Sequence, residues 1–296
     1  MTERRTRSAR RPFVVRWLVA LAAVVVLAVV GGWVGVSRLH DDPPPAPTET
    51  IPPLARLRVI FPEGFTVREM AERVDAVREI AIENRGVTPR LTKAGYLEAT
   101  GSAIPPAEFR RDARGKSIEG FLFPATYEFS QYTPSSRLVR DQLRAFRRQW
   151  RKVDLRYARS KNLTPYDVLI IASMIEKETV APEERKLVAA VIYNRLRNGM
   201  KLGIDATLRY GRNVPGTEPL KQSDIESDDP YNTRRRLGLP PTPISNPGLA
   251  SMRAAAHPAS ADYLYFVRKR DGVHHFFTAS ESEFCQRSLE YGFGGC

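Results

Sequence analysis

The sequence predicts an α+β fold behind a single N-terminal apolar helix, on three observations. Trp17 to Val36 is a run of 20 residues without a charge, about 30 Å long as a helix. Leu57 to Phe61 and the two stretches flanking Asp271-Gly272 alternate as short strands beside amphipathic helices with polar caps. Val168 to Ile175 leaves Ser173 as its only polar residue, the pattern of a helix buried on every side. The 296 residues fit one large domain or two ordinary ones beyond any tail.

Ahead of the apolar run, Arg4, Arg5, Arg7, Arg10, Arg11 and Arg16 face one acid, Glu3. This asymmetry predicts a cytoplasmic basic tail over 1–16, a transmembrane helix over 17–36, single-pass residence in the cell membrane and export of the chain beyond Val36. The run is longer than a signal-peptide core, and Ser37-Arg38-Leu39-His40 is a poor cleavage site, so the anchor is expected to stay uncleaved. Six prolines between Asp41 and Pro53 make 37–55 a stiff, extended linker.

The formal charge of +13 raises the question of nucleic acid. All of it is accounted for by the N-terminal tail and by Arg137 to Lys161, where ten Lys or Arg meet Asp141 and Asp154. That block reads as one helix with Ser135 or Ser136 as N-cap, Leu138, Val139, Leu143, Phe146, Trp150 and Val153 on its apolar stripe, and arginines opposite. A solvated helix face is the plain reading, a contact with anionic lipid or wall polymer the other, and the predicted topology speaks against nucleic acid. Cys285 and Cys296 could form one disulfide, and no neighbouring His marks either as a nucleophile.

After the linker, Leu57, Val59 and Phe61 alternate as a strand, Pro62-Glu63-Gly64 turns, and Thr66 with Glu69 forms a capping box opening a helix that ends at Asn84 to Gly86. Leu91 to Thr100 is a further helix, and Phe121 to Phe129 is strand-like around Pro124. Thr164, Pro165 and Asp167 open the buried helix, which ends in Glu176, Lys177 and Glu178. A second helix starts at Pro182 and closes at Asn198-Gly199. Tyr263 to Val267 and Val273 to Phe277 form a hairpin, and Ser280 with Glu283 caps a last helix.

A glutamate at the end of a buried helix loses water, and desolvation disfavours its charged form. A rise of about two units is worth about 2.7 kcal/mol, enough to keep a proton ready at neutral pH. Residues i and i+2 lie on different sides of a helix, so only one of the two acids faces a given cleft. Glu176, which continues the buried segment directly, is the expected proton donor, and Glu178 is expected to hold a neighbouring group. His274 and His275 point to opposite strand faces, and His257 and His40 stand far off, so no metal site is expected.

The segment IIASMIEKETVAPEERKLVAAVIYNRLRNGMKLGIDATLRYG resembles the central motif of the endolytic murein transglycosylases, the MltG or YceG-like family. The likeness extends to SIEGFLFPATYEF, to PYNTRRRLGLPPTPISNPGLASMRAAAHPASADYLYFV and to DGVHHFFT, in family order. It implies cleavage of the β-1,4 bond from N-acetylmuramic acid to N-acetylglucosamine without water, a 1,6-anhydro ring closing on the muramic sugar. One carboxyl then suffices where a hydrolase needs two, and the family's catalytic residue is placed on Glu176. Glu178, Asn194, Arg195, Asp205, Thr207, Tyr231 and Asn232 fall in matched segments and are candidate substrate contacts. Arg234 and Thr242 depart from the family pattern, which puts contacts there in doubt.

LRVIFPEGFTVREMAERV resembles a LysM-type peptidoglycan-binding motif. The implied organisation is a LysM-like subdomain over 56–132 and a mixed α/β catalytic domain over 133–296. Glycan strands, the membrane and, by resemblance, peptidoglycan synthases such as penicillin-binding proteins are the implied partners, with no cofactor. Two rivals remain: a water-using muramidase with Asp205 as second carboxylate, and a non-catalytic wall-binding anchor that recruits synthases.

Overall fold

The computed structural model describes residues 12–38, 56–113 and 117–294. The chain divides into two units, 1–53 and 54–296. In the first, α1 (Pro12–Arg38) is helical, and its described side chains, at 20–33, are exposed. This corrects the expected anchor: among the described residues no helix is long and apolar enough to cross a membrane. The predicted placement in the cell membrane falls with it. Most of the basic tail and of the proline-rich linker lies outside the described residues.

The second unit is mixed α/β, with small sheets among helices. β1 (Leu57–Ile60) alternates buried and exposed residues. α2 (Val67–Arg85) opens on the Thr66–Glu69 capping box and ends at Gly86, whose φ of 61° suits a residue without Cβ. α3 (Lys93–Gly101) packs on it. The stretch from Phe121 becomes regular only at β2 (Thr126–Phe129), which pairs antiparallel with β1, Leu57 opposite Phe129 and Ile60 opposite Thr126. α4 (Ser135–Trp150) follows Pro134 at the N-cap, and neither Ser135 nor Ser136 caps it by side chain. Its apolar stripe packs Phe146 and Trp150 against Phe109 and Phe121, ring centroids 5.0–5.7 Å apart.

After the short α5 (Arg156–Ser160) comes α6 (Pro165–Glu178), opened by a Thr164–Asp167 capping box. Every residue from Val168 to Ile175 is buried, at most 3% exposed, and each large apolar side chain there contributes about 1.5–3 kcal/mol. Pro182 starts a single 3₁₀ turn, and the helix proper, α7 (Arg185–Arg197), begins three residues later. α8 (Asp205–Arg212) and α9 (Gln222–Ile225) are short. α10 (Leu249–Ala256) packs on α6 and α7. β3 (Tyr265–Arg268) and β4 (His275–Thr278) form the expected hairpin, Arg268 opposite His275, with Gly272 at φ 71° in its turn. α11 (Glu281–Tyr291) is capped by Ser280, but Glu283 completes no box because its carboxylate takes the Thr278 hydroxyl at 2.5 Å. Cys285 is disulfide-bonded, and Cys296, its expected partner, lies outside the described residues.

Candidate active site

The one polar side chain inside α6 fixes the wall behind the site. Ser173 accepts a hydrogen bond from Ile244 N–H at 3.0 Å, and its carbonyl accepts from the Ser245 hydroxyl at 3.1 Å. This lays residues 242–246 along α6, all of them buried or nearly so. Asn246, with no exposed surface, then ties its own segment to two distant ones. Its Oδ1 accepts from Gly120 and Leu122 N–H at 3.0 and 2.9 Å, and its Nδ2 donates to Phe65 O at 2.9 Å and Glu119 Oε1 at 2.7 Å. Glu119 in turn accepts from Val67 N–H at the start of α2 and from the Tyr210 hydroxyl at 3.4 Å. Burial pushes its carboxyl up to about 8 against the pull of those donors.

The two acids at the end of α6 part company here. Glu178 lines a cavity of about 1080 Å³, together with Lys177, Asp205, Arg234, Arg268 and His275 among others. Burial first, and the Asp205 charge second, push its carboxyl up to about 7, while Arg268, the Ala206 N–H and Arg234 pull the other way. Its place at the C-terminal end of a helix also disfavours a negative charge. Glu176 is not among the lining residues. Its Oε2 accepts from Gly248 N–H at 2.9 Å, and Arg185 stands 3.8 Å from its Oε1. Glu63 is a third party: burial and then Glu176 push its carboxyl up, and Arg185 pulls it down. A Cβ on Gly248 would overlap the Glu63 carboxylate where it stands, so a side chain there would push Glu63 aside.

Of the other candidate contacts, Arg195 and Asp205 line the cavity with Glu178. Arg195 is held by Leu264 O at 2.6 Å and Leu202 O at 2.7 Å and lies over the Tyr265 ring. Asp205 begins α8 and pairs with Arg234 at 2.6 Å, so the arginine that departs from the family pattern sits on the cavity wall. Asn194 donates to Ala261 and Tyr263 carbonyls, and Asn232 to those of Ile225 and Ser227, which fixes loops. Thr207 is fully buried against Ile204 O and Thr233. Tyr231 bonds Thr242 at 2.7 Å and meets Tyr210 edge to face. None of these four lines the cavity. Sequence reasoning missed Glu63, Glu119, Asn246 and Arg268, and the fixed pair of His275 Nδ1 with the Glu184 carboxylate at 2.7 Å. His274 faces the other way, toward Asp271, which raises its pKa. Among the described residues no group of three or more His, Cys, Asp or Glu is placed to hold a metal ion.

The sequence model of the YceG-like family matches residues 42–288. The chain belongs to that family. It is 38% identical over 219 residues to the endolytic murein transglycosylase of Bacillus subtilis (strain 168), covering 70% of this chain and 59% of that one. It is 32% identical over 230 residues to the enzyme of the same name from Streptococcus pneumoniae (strain ATCC BAA-255 / R6), with coverage of 73% and 41%. It thus spans less than two thirds of the length of these curated relatives. Among solved structures, a yceG-like protein from Listeria monocytogenes superimposes with a TM-score of 0.62 at 28% identity, covering 77% of this chain and 74% of that one.

Proposed function

We propose that this YceG-like chain is a peptidoglycan lytic transglycosylase in which Glu178 is the proton donor and acceptor. Glu178 gives its proton to the bridging oxygen as the bond from the N-acetylmuramic C1 breaks, and N-acetylglucosamine leaves with a free hydroxyl. The muramic 6-hydroxyl then closes on C1, and its proton passes to the Glu178 carboxylate, which restores the acid without water. The relatives' names support the reaction class. The single observation that carries the assignment is a carboxyl held near neutrality on the wall of the large cavity. The donor proposed here differs from Glu176, the residue expected from sequence and family resemblance, whose carboxylate accepts from Gly248 N–H and stands 3.8 Å from Arg185.

A water-using muramidase with Asp205 as base is the second reading, favoured by the influence of Asp205 on Glu178. Against it, Asp205 is paired with Arg234. Mass spectrometry of digested peptidoglycan separates the two: the first reading predicts ends lighter by one water, the second reducing ends. A LysM-like, strand-binding role for 56–132 and contacts with peptidoglycan synthases are further parts of the proposal, supported by sequence resemblance.

A further inference from the structure

The cavity beside Glu178 carries more positive charge than the protein itself neutralises. Arg68, Lys177, Arg195, Arg209, Arg234 and Arg268 line it, against the acids Glu69, Glu178 and Asp205. Arg234 is paired with Asp205, and Arg195 and Arg209 are held by backbone carbonyls. Glu69 is engaged by Thr66 N–H at 2.7 Å. Lys177 reaches one carbonyl, that of Gly64, at 3.3 Å. The guanidinium groups of Arg68 and Arg268 have no hydrogen-bond or ion-pair partner among the described residues, while their backbones belong to α2 and to the β3–β4 ladder. Arg268 is nonetheless half-buried, and its charge is felt at Glu178. It stands on a rigid support: its partner across the hairpin, His275, is tied through both Nδ1 and backbone N–H to Glu184. A half-buried guanidinium with open donors is suited to bind a carboxylate through two parallel hydrogen bonds.

The sugar rings of a peptidoglycan strand are neutral. Its ionised acids are carboxylates, on the lactyl ether of muramic acid or on the stem peptide. We propose that Arg68 and Arg268 form a carboxylate-binding wall of this cavity that recognises those acidic groups next to the bond to be cleaved. The inference rests on the reading of the chain as a peptidoglycan-cleaving enzyme and adds the property on which it selects its substrate.

The test uses the full chain and three strand preparations: peptide-bearing strands, the same strands with their carboxylates converted to amides, and strands stripped of peptide so that the lactyl carboxylate is free. Wild type should cleave peptide-bearing strands with a kcat/KM roughly ten- to a hundredfold above the amidated ones, the range of one charge-assisted contact. The difference should lie in KM. Arg268→Gln and Arg68→Gln should narrow it, Arg268→Lys should recover part of it, and Arg268→Gln should also move the alkaline limb of the pH profile upward. Peptide-bearing strands carry only peptide carboxylates, because their lactyl carboxyl is tied up in the amide to the stem. Stripped strands that behave like the untreated ones show that the wall also accepts the lactyl carboxylate, and stripped strands that behave like the amidated ones confine it to the peptide. Binding of the same preparations is measured in parallel by calorimetry. Equal treatment of peptide-bearing and amidated strands in both assays overturns the proposal, as does a proportionate loss on both substrates in the arginine variants. Discrimination in binding with no cleavage would retain the carboxylate site and refute the enzymatic reading instead.

Discussion

If Glu178 must be protonated to act, the cleavage rate has to fall as pH passes its pKa of about 7. At pH 6 roughly nine tenths of the enzyme holds the proton and at pH 8 a little under one tenth, so the rate should drop about tenfold between them. The structure supplies a perturbation of known sign. Asp205 is the charge that raises Glu178, and its removal in Asp205→Asn also releases Arg234, which lowers it. Both effects favour the carboxylate, so the alkaline limb should shift down by about half a unit to one unit, the size of a single partly screened charge. The assay is the initial rate of muropeptide release from purified strands across pH 5–9 for wild type and Asp205→Asn. An upward shift, or a wild-type limb with its midpoint near 4.5, would refute the assignment of the proton to Glu178.

Two further predictions concern stability. Gly120 has a φ of 90°, and a Cβ there would lie 2.7 Å from both Cβ and Cγ of Pro243; Gly120→Ala should cost about 2–5 kcal/mol from backbone strain and overpacking, read as a lowered urea midpoint. Glu119 and Glu178 are both raised in the fold, so the native state holds protons that the unfolded chain releases from about pH 4.5. Stability should therefore fall as pH rises, through about 7 for Glu178 and about 8 for Glu119, and Glu119→Gln should flatten the upper part of that decline in thermal melts.

What was legible in the sequence was local. Thr66 with Glu69 and Thr164 with Asp167 are read from spacings of three residues, and both form complete capping boxes. The all-round apolar run from Val168 to Ile175 could only be buried, and it is. The hairpin around Asp271-Gly272 needed no more than a turn dipeptide between alternating stretches. The rule that i and i+2 face apart foresaw that one of the two glutamates would meet the cleft and the other would not. Which one does so depends on distant chain: the start of α8 brings Ala206 N–H to Glu178, and the start of α10 brings Gly248 N–H to Glu176. Glu63 and Asn246 were invisible for the same reason, since their partners lie more than a hundred residues away and no periodicity marks them. A 20-residue uncharged run read as a membrane span, because that reading rests on counting residues along the chain. The charge of the cavity depends on which arginines already have partners, a property of the fold alone.

The central claim meets its most direct test in mass spectrometry of the products released from peptidoglycan by Glu178→Gln and Glu176→Gln side by side. The account predicts that Glu178→Gln loses anhydro-muropeptide release by about a hundredfold or more, while Glu176→Gln, which keeps an acceptor for Gly248 N–H, stays within about tenfold of wild type. Loss of release in Glu176→Gln together with full activity in Glu178→Gln would contradict it.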